Sequence, residues 1–336
     1  MKLAVVLFNL GGPDSPDAIE PFLRNLFSDP AIISLPWLIR LPLAAWIARR
    51  RAPVAREIYG KIGGRSPIVE ETEAQARALE RVLTERGIDA RTFIAMRCWR
   101  PFSDTTAMTV KDFAPDRIVL LPLYPQFSTT TTASSLKDWS RAAVKARLNV
   151  PTAQVCCYPY NAGFIASLAE SVLEAWAYRK PGHRYRLLFS AHGLPERVIK
   201  KGDPYQWQVE QTVTALVGKL GINDLDKVVC YQSRVGPLRW IGPATDQEIR
   251  RAGAEGLSLV VAPVAFVSEH AETLVELDMD YARLATESGV PHYLRARAVG
   301  IRRAFIEGLA DLVVSAGTGR HCPAAFAGCG FRETMR

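Results

Sequence analysis

The 336-residue sequence has no uninterrupted apolar run of the roughly 20 residues that a membrane-spanning helix needs. The nearest candidate, residues 31–48, is interrupted by Pro36, Arg40 and Pro42. The first ten residues form a short apolar run without a small-x-small cleavage site after it. We therefore expect neither a spanning segment nor a secretory signal, and we expect a cytoplasmic protein.

The sequence also lacks the common cofactor fingerprints. Neither a Gly-x-Gly-x-x-Gly nor a Walker sequence occurs, and Gly11-Gly12-Pro13 does not have the spacing of a dinucleotide site. No Cys-x-x-Cys pair occurs, and six cysteines in a chain of this length do not indicate a disulfide framework. These absences argue against nucleotide-dependent chemistry and against a zinc site of the Cys-x-x-Cys type.

Acidic residues are the scarcer charged class, with 34 Asp and Glu against 42 Lys and Arg, which gives a formal net charge of +8. Such a balance favours an anionic partner: nucleic acid, a membrane surface or a carboxylate-bearing ligand. The basic residues are dispersed and no nucleic-acid recognition motif occurs, so we expect no nucleic-acid partner.

Short apolar segments alternate with longer amphipathic ones, which predicts an α/β fold with doubly wound, mostly parallel sheets. Several strand segments are apolar throughout, as is typical of parallel strands covered on both faces. The predicted strands are 3–9, 91–97, 117–123, 153–158, 185–190, 227–232 and 257–266. The predicted helices include 69–86, 133–147, 162–178, 204–220, 270–285 and 299–314.

A weak internal repeat relates the two parts of the chain. Residues 6–11 resemble 188–193, and residues 121–123 before Phe127-Ser128 resemble 262–264 before Val267-Ser268. We therefore predict two similar Rossmann-like halves, the first covering 1–150 and the second 151–314. The first half carries an insertion at about 29–67, and a cysteine-containing tail, 315–336, follows the second.

His192 is one of only five histidines and directly follows an apolar strand segment. Ligands of open α/β sheets bind beyond the carboxyl ends of the strands. One interpretation is a packed or capping histidine, and the other is a catalytic base or a metal ligand. The position of His192 at a strand end favours the functional interpretation.

Five acids lie between Glu269 and Asp280 with no intervening Lys or Arg. Glu272, Glu276 and Asp280 recur every four residues, so on an α-helix they form a line that drifts by about 40° per step. The apolar stripe predicted for this helix is Leu274, Leu277, Tyr281 and Leu284. Like charges four residues apart destabilise a helix, so a row that holds a cation or passes protons explains the pattern better than a solvated face.

The insertion contains Trp37, Trp46 and many aliphatic residues, and Arg49-Arg50-Arg51 follows them. Three interpretations are open. An amphipathic helix beside a basic cluster can rest on an anionic membrane, or it can form the lip of an apolar pocket for an anionic ligand. The third interpretation is a core hairpin with a basic, solvent-exposed end.

Six motifs in order resemble the ferrochelatase family, enzymes that insert ferrous iron into protoporphyrin to make haem. The resemblance covers nearly the whole chain and implies two Rossmann-like halves of the chelatase type. The motifs are Asn9-Leu10-Gly11-Gly12-Pro13, Lys61-Ile62-Gly63-Gly64-Arg65-Ser66-Pro67, Leu123-Tyr124-Pro125-Gln126-Phe127-Ser128, Ser190-Ala191-His192-Gly193-Leu194-Pro195, Gln232-Ser233-Arg234-Val235-Gly236-Pro237 and His270-Ala271-Glu272-Thr273-Leu274.

The resemblance implies roles for individual residues. His192 and Glu272 would face each other across the porphyrin pocket as the catalytic and metal-binding pair, with His192 as proton acceptor. Glu276 and Asp280 would continue as a relay that carries protons away or delivers Fe²⁺. The insertion would form the apolar mouth that grips the macrocycle and meets the inner face of the membrane peripherally. The implied substrate-binding residues are Leu10, Arg50, Arg51, Arg97 and Ser233.

The resemblance further implies that the protein inserts Fe²⁺ into protoporphyrin IX and releases two protons, the terminal step of haem biosynthesis, without a nucleotide. A strained macrocycle exposes its nitrogen lone pairs, and a tight apolar cleft can impose that strain. Two alternatives remain open. One is a chelatase for coproporphyrin or another tetrapyrrole and metal, and the other is a porphyrin or haem carrier without catalysis.

The cysteines of the tail raise the question of an iron–sulfur cluster. Some members of the family bind a [2Fe–2S] cluster through such a tail and an interior cysteine, and a cluster needs four thiolates. The resemblance assigns Cys157, Cys322 and Cys329 as ligands and leaves the fourth open. Neighbouring strand residues point to opposite faces, so we expect only one of Cys156 and Cys157 to contribute. The alternative is a set of scattered thiols.

Overall fold

A computed structural model describes residues 1–233 and 238–317 of the chain. The described residues form two compact units, of which the first comprises 1–157 and 309–317 and the second comprises 158–308. Each unit contains one four-stranded parallel sheet with flanking helices, so the predicted α/β class is confirmed.

The sheet of the first unit has the strand order β2-β1-β3-β4, with every pairing parallel. Its central strand is buried along its whole length, which explains why its sequence is apolar without alternation. The strands are β1 (Leu3–Asn9), β2 (Ala90–Met96), β3 (Arg117–Pro122) and β4 (Thr152–Gln154). The helices are α1 (Ile19–Ser28), α2 (Trp37–Gly60), α3 (Ile68–Glu85), α4 (Ser103–Phe113) and α5 (Thr132–Ala146), and a 3₁₀ turn (Pro16–Ala18) precedes α1.

The sheet of the second unit repeats this order as β6-β5-β7-β8, again with parallel pairings only. The predicted internal repeat is therefore confirmed at the level of topology. The strands are β5 (Tyr185–His192), β6 (Lys227–Gln232), β7 (Ser258–Pro263) and β8 (Tyr293–Arg295). The helices are α6 (Ala162–Ala177), α7 (Glu196–Lys200), α8 (Tyr205–Leu220), α9 (Thr245–Ala254) and α10 (Tyr281–Glu287), and α11 (Arg303–Ser315) begins in the second unit and ends in the first.

The acidic segment differs from the predicted α-helix. Residues Glu272–Asp280 form a π-helix, called the π segment below, and α10 continues from it. In a π-helix the amide bonds to the carbonyl five residues before it, so a spacing of four falls just short of a turn instead of just past it. The predicted apolar stripe is wrong at Leu274, which is only partly buried, whereas Val275 and Leu277 are buried.

The predicted strand at 153–158 is too long, because β4 ends at Gln154. Cys156 and Cys157 therefore do not alternate as strand residues do. Both side chains are buried, and their Sγ atoms lie 3.6 Å apart. The prediction that these two thiols point to opposite faces of a strand is therefore wrong.

The insertion contains one long helix, α2, and the core-hairpin alternative is wrong. Only Ala44, Ala48 and Ala52 of this helix are fully buried, while Trp37 is 62% exposed and Trp46 is 58% exposed. Neither α2 nor another described helix has both the length and the hydrophobicity to cross a bilayer. The exposed apolar side chains of α2 are Trp37, Leu38, Ile39, Leu41, Trp46 and Val54, called the α2 patch below.

Candidate active site

His192 is the last residue of β5, the central strand of the second sheet. The seven residues before it in β5 are buried, and His192 emerges at the carboxyl end with a side chain that is 37% exposed. The next amide, that of Gly193, donates to the carbonyl of Gln232 and holds the strand end against β6. The imidazole is thus presented by a rigid strand at the edge where open sheets bind ligands.

Glu272 opens the π segment and contacts His192 directly. Its Oε2 lies 2.9 Å from Nδ1 of His192. The turn before Glu272 is held by Thr273, whose hydroxyl accepts from the amide of His270 and donates to the His270 carbonyl. The two side chains are therefore in direct hydrogen-bond contact, and their facing each other across a porphyrin pocket stays a prediction.

The two groups of this pair change each other's ionisation. Loss of bulk water acts to lower the pKa of His192, but the charge of Glu272 and its hydrogen bond outweigh this and raise it. Burial acts to raise the pKa of Glu272, but the charge and hydrogen bond of His192, with smaller effects of His270 and Ser233, lower it to about 2. The arrangement therefore favours an imidazolium–carboxylate pair.

Glu276 accepts hydrogen bonds from four groups around it. The Ser233 hydroxyl donates to Oε2 at 2.5 Å and the Ser233 amide to Oε1 at 3.0 Å. The Tyr281 hydroxyl donates to Oε1 at 2.9 Å, and Nε2 of Gln232 lies 3.2 Å from Oε2. Ser233 has the left-handed φ of 61°, a conformation that non-glycine residues rarely adopt and that clusters at functional sites.

The pKa of Glu276 is shifted in the opposite direction from that of Glu272. Burial and the nearby charge of Glu272 raise the pKa of Glu276, against the effect of its hydrogen bonds from Ser233 and Tyr281. The Ser233 hydroxyl also lies 3.4 Å from Oε2 of Glu272, so it bridges the two acids. Two carboxylates with pKa values pushed apart, linked by a hydroxyl, can hold and pass a proton.

The side-chain amide of Gln232 is oriented by buried hydroxyl groups. Its Oε1 accepts from the buried Ser190 hydroxyl at 2.6 Å, and Ser190 in turn contacts the Thr245 hydroxyl at 3.1 Å. Because Oε1 is occupied as an acceptor, Nε2 faces Glu276 as a donor. This network fixes the orientation of the Gln232 amide group that faces Glu276.

The other three acids between Glu269 and Asp280 have different surroundings. Glu269 and Asp278 both bind Arg295, at 2.7 Å and 2.5 Å. Asp280 lies 3.8 Å from Arg283. The structure therefore brings together His192, Glu272, Glu276 and Ser233 through contacts below 3.5 Å, while Asp280 pairs with Arg283 of α10.

His270 is a site residue that the sequence analysis did not single out. Its Nδ1 must donate to the carbonyl of Ser268 at 3.1 Å, because a carbonyl can only accept. In the neutral ring this leaves Nε2 with a lone pair, the arrangement typical of a metal-binding imidazole. Phe266 packs against the ring at 4.6 Å. The signal in the sequence was its position two residues before Glu272 in the same motif.

Four of the proposed substrate-binding residues lie in the first unit. Arg97 binds Oδ2 of the buried Asp29 at 2.9 Å and the Ser134 hydroxyl at 2.7 Å. Leu10 packs against the cluster that contains buried residues of α1 and α2. Arg50 lies over the Trp46 ring and Arg51 over the Phe27 ring, at 5.4 and 6.0 Å from the ring centres.

The proposed cluster ligands fall partly outside the described residues. Cys157 is buried beside Cys156, as described above, whereas Cys322 and Cys329 lie beyond residue 317. Within residues 1–233 and 238–317, no group of three or more His, Cys, Asp or Glu side chains is arranged to hold a metal ion.

Comparison with known proteins identifies close relatives over the whole chain. The family profile described as Ferrochelatase matches residues 2–316. Curated proteins named Ferrochelatase are 54% identical in Phenylobacterium zucineum, over 99% of both chains, and 54% identical in Caulobacter vibrioides, over 99% of this chain and 98% of the relative. The protein of that name from Pelagibacter ubique is 48% identical over 94% of this chain and 91% of its own.

Solved structures share the fold at low sequence identity. SirB from Bacillus subtilis with Fe³⁺ has a TM-score of 0.52 and 12% identity, over 95% of this chain and 97% of its own. The sirohydrochlorin chelatase SirB from Bacillus subtilis subspecies spizizenii in complex with cobalt has a TM-score of 0.52 and 10% identity, over 94% and 95% of the two chains. These similarities establish a shared two-sheet architecture.

Proposed function

Because this chain belongs to the ferrochelatase family, whose members are metal-inserting lyases of haem synthesis, we propose that its porphyrin substrate is protoporphyrin IX. The proposed reaction inserts Fe²⁺ into the macrocycle, forms protohaem and releases the two pyrrole protons. The observation that carries the proposal is the His192–Glu272 contact of 2.9 Å at a strand end, continued by Ser233 and Glu276.

His192 is the proposed acceptor of the pyrrole protons. An imidazole accepts a proton only when it is neutral, and the charge of Glu272 stabilises the imidazolium that forms. From this pair the proton can pass along the hydrogen bonds through Ser233 to Glu276, whose raised pKa suits it to receive a proton. Asp280 extends the proposed relay towards α10.

His192 and Glu272 are also the proposed protein ligands of the incoming Fe²⁺. A neutral imidazole and a carboxylate are ligand types that suit Fe²⁺, and Nε2 of a neutral His270 offers a second imidazole nearby in the chain. Fe²⁺ is a substrate here and has to leave the protein with the porphyrin. A site with few protein ligands suits an ion that must leave better than a closed four-ligand site does.

The first unit supplies the proposed grip on the macrocycle. Leu10 is part of an apolar cluster, and Arg50, Arg51 and Arg97 are cations suited to carboxylates such as the propionates of the porphyrin. Ser233 is a further proposed substrate-binding residue, assigned by the family resemblance. We expect the Arg97–Asp29 ion pair to hold the guanidinium in one orientation, since Asp29 is only 4% exposed.

The α2 patch supports a peripheral contact with a membrane. Its apolar side chains are exposed beside Arg49, Arg50 and Arg51, the combination that binds anionic lipid surfaces. The proposal places the protein in the cytoplasm with this patch on the inner face of the membrane. The proposed partners are thus protoporphyrin IX, ferrous iron and anionic lipid.

We further propose a [2Fe–2S] cluster, to which a set of scattered thiols is the alternative. Two thiolates on one tetrahedral metal ion with bonds of about 2.3 Å are about 3.8 Å apart. The 3.6 Å between the Cys156 and Cys157 Sγ atoms is close to this value, so both can contribute. With Cys322 and Cys329 they make the four thiolates that a cluster requires. Such a cluster supplies an electron-transfer centre, and no step of metal insertion depends on it.

The substrate proposal is tested by anaerobic turnover of purified protein with Fe²⁺ and either protoporphyrin IX or coproporphyrin III. We expect faster conversion of protoporphyrin, followed by the change of the porphyrin absorption bands to those of haem. Equal or faster conversion of coproporphyrin contradicts the proposed substrate. Binding of both porphyrins without conversion of either favours the carrier alternative.

A further inference from the structure

A side chain of strand β8 takes part in the backbone hydrogen bonding of the π segment. In an α-helix the Tyr281 amide would donate to the Leu277 carbonyl, four residues before it. Here the Tyr281 amide donates to the Glu276 carbonyl, five residues before it. The Leu277 carbonyl instead receives the hydroxyl of Tyr293 from β8, at 2.7 Å. The Tyr293 hydroxyl thus takes the place that the Tyr281 amide has in the α register.

The same short strand binds the acidic segment a second time. Arg295 donates through Nε and Nη2 to the two carboxylate oxygens of Asp278, at 2.7 and 2.5 Å. Its Nη1 donates to Oε1 of Glu269 at 2.7 Å, and that oxygen also accepts from the Ala298 amide. One guanidinium therefore joins the residue three positions before the π segment to a residue near its end. The Arg295 side chain is only 9% exposed.

The strand that carries these two side chains is itself fixed. Tyr293 pairs with Leu259 of β7, and Arg295 pairs with Val261, both in parallel register. The Leu259 amide donates to the carbonyl of residue 292, and the Ala296 amide donates to the Val261 carbonyl. Leu259 and Val261 are fully buried. The sheet core thereby supplies a rigid reference for the position of the π segment.

We propose that Tyr293 and Arg295 are positioning residues that hold Glu272–Asp280 in the π register and so keep Glu272 and Glu276 beside His192 and Ser233. A return to the α register rotates each residue of the segment relative to its present direction, because the number of residues per turn changes. The 2.9 Å contact of Glu272 with His192 and the 2.5 Å contact of Glu276 with Ser233 depend on that direction. Neither Tyr293 nor Arg295 contacts these reacting groups in the described hydrogen bonds and ion pairs.

The chain offers a matched control for each residue. Arg186 of β5 also has a largely buried guanidinium, 10% exposed, and also joins two carboxylates, Asp226 and Glu255, both at 2.8 Å. Tyr158 is a tyrosine with a buried hydroxyl in the same unit. Substitutions at Arg186 and Tyr158 remove comparable groups at places that do not touch the π segment.

The test compares Arg295→Met and Tyr293→Phe with the controls Arg186→Met and Tyr158→Phe in the full-length protein. Two measurements are made: backbone hydrogen exchange of residues 272–280, and kcat and KM for Fe²⁺ insertion. We expect faster exchange confined to the π segment and its flanks in the two β8 variants. We also expect a kcat lowered by about 10- to 100-fold with an unchanged KM for porphyrin, the size typical of residues that orient a metal or catalytic ligand.

The proposal is overturned if exchange at 272–280 and kcat in the β8 variants match those of the controls. If Arg295→Met does not fold, the comparison of Tyr293→Phe with Tyr158→Phe decides the question alone. The inference deepens the proposed function and rests on it only for the kinetic measurement. If the wild-type protein inserts no iron into porphyrin, the proposed function fails while the exchange measurement still supports or overturns the positioning role.

Discussion

Nδ1 of His192 and Oε2 of Glu272 are 2.9 Å apart, although 80 residues separate them in the sequence. The contact joins the end of the central strand β5 to the start of the π segment. It favours a charged pair, in which the pKa of His192 is raised and that of Glu272 is lowered to about 2. The pKa of the proposed base therefore lies above the ordinary value of an imidazole, and this has a measurable consequence.

The first prediction concerns the pH dependence of iron insertion. Because only neutral His192 accepts a proton, we expect kcat to rise with pH through the raised pKa of this imidazole. In Glu272→Gln the carboxylate charge that raises this pKa is lost, so the midpoint of the residual activity moves to lower pH. Rates measured across a pH series for both proteins check this.

Glu287→Gln is the control for this pH profile, because Glu287 lies on the adjoining α10 and is largely exposed. We expect its midpoint to equal that of the wild type. A midpoint that stays in place or moves upward in Glu272→Gln contradicts the assigned roles of the pair.

The second prediction concerns Glu276, whose pKa is raised in the folded protein. A carboxyl group with a raised folded-state pKa binds protons more tightly when folded, so it lowers stability progressively above its ordinary pKa. Replacement by Gln removes this effect. We expect the difference in Tm between Glu276→Gln and the wild type to grow in favour of the variant from about pH 4 to about pH 7.

The same substitution is expected to slow iron insertion, because the proton acceptor of the proposed relay is lost. Thermal melts followed at each pH, with Glu287→Gln as control, measure the stability difference. A difference in Tm that is constant across this range, or that shrinks with rising pH, shows that the carboxyl group does not titrate as the structure indicates.

Much of this architecture is predictable from the sequence, because the strands of both sheets are buried and therefore apolar. The bounds of β1 and β6 match the prediction, and α8 begins one residue later than predicted. His192 and the acidic segment were also predictable, since both follow apolar strands, the place where open sheets bind ligands. In each case a short continuous stretch of sequence is enough to make the prediction.

The features that escaped prediction depend on contacts far apart in the sequence. The π register needs Tyr293, which bonds to Leu277 across 16 positions, and no local periodicity indicates it. A strand of three residues such as β8 is too short for an alternating pattern. The ion pairs of Glu269 and Asp278 with Arg295 likewise could not be predicted. The sequence shows five acids in one stretch, but it does not show which of them pair with a distant cation.

The third prediction concerns the α2 patch. If it contacts lipid, Trp37→Ser combined with Trp46→Ser weakens binding to vesicles that contain anionic phospholipid by about tenfold or more, since two large apolar groups are lost. Co-sedimentation with vesicles measures the binding. Val144→Ser is the control, because Val144 is 80% exposed on α5 and lies outside the patch. Equal binding by the double variant and the control argues that α2 serves another purpose.

The fourth prediction concerns the thiols. Protein purified without oxygen is expected to contain two iron and two sulfide per chain, with visible absorption that bleaches on reduction. Cys157→Ser and Cys329→Ser should each abolish this absorption, whereas Cys230→Ser, which changes a buried thiol of the second sheet, should retain it. Iron and sulfide analysis checks the content. Their absence from wild-type protein supports the alternative of scattered thiols.

The central claim is that His192 accepts protons during metal insertion and is not needed to bind the porphyrin. The most direct measurement is a single turnover with protoporphyrin IX and anaerobic Fe²⁺, in which fluorescence reports both porphyrin binding and its loss on metal insertion. His192→Ala should bind porphyrin as the wild type does and insert iron about 10²- to 10⁴-fold more slowly, with His183→Ala as the unaffected control. Insertion by His192→Ala at the wild-type rate would contradict the account.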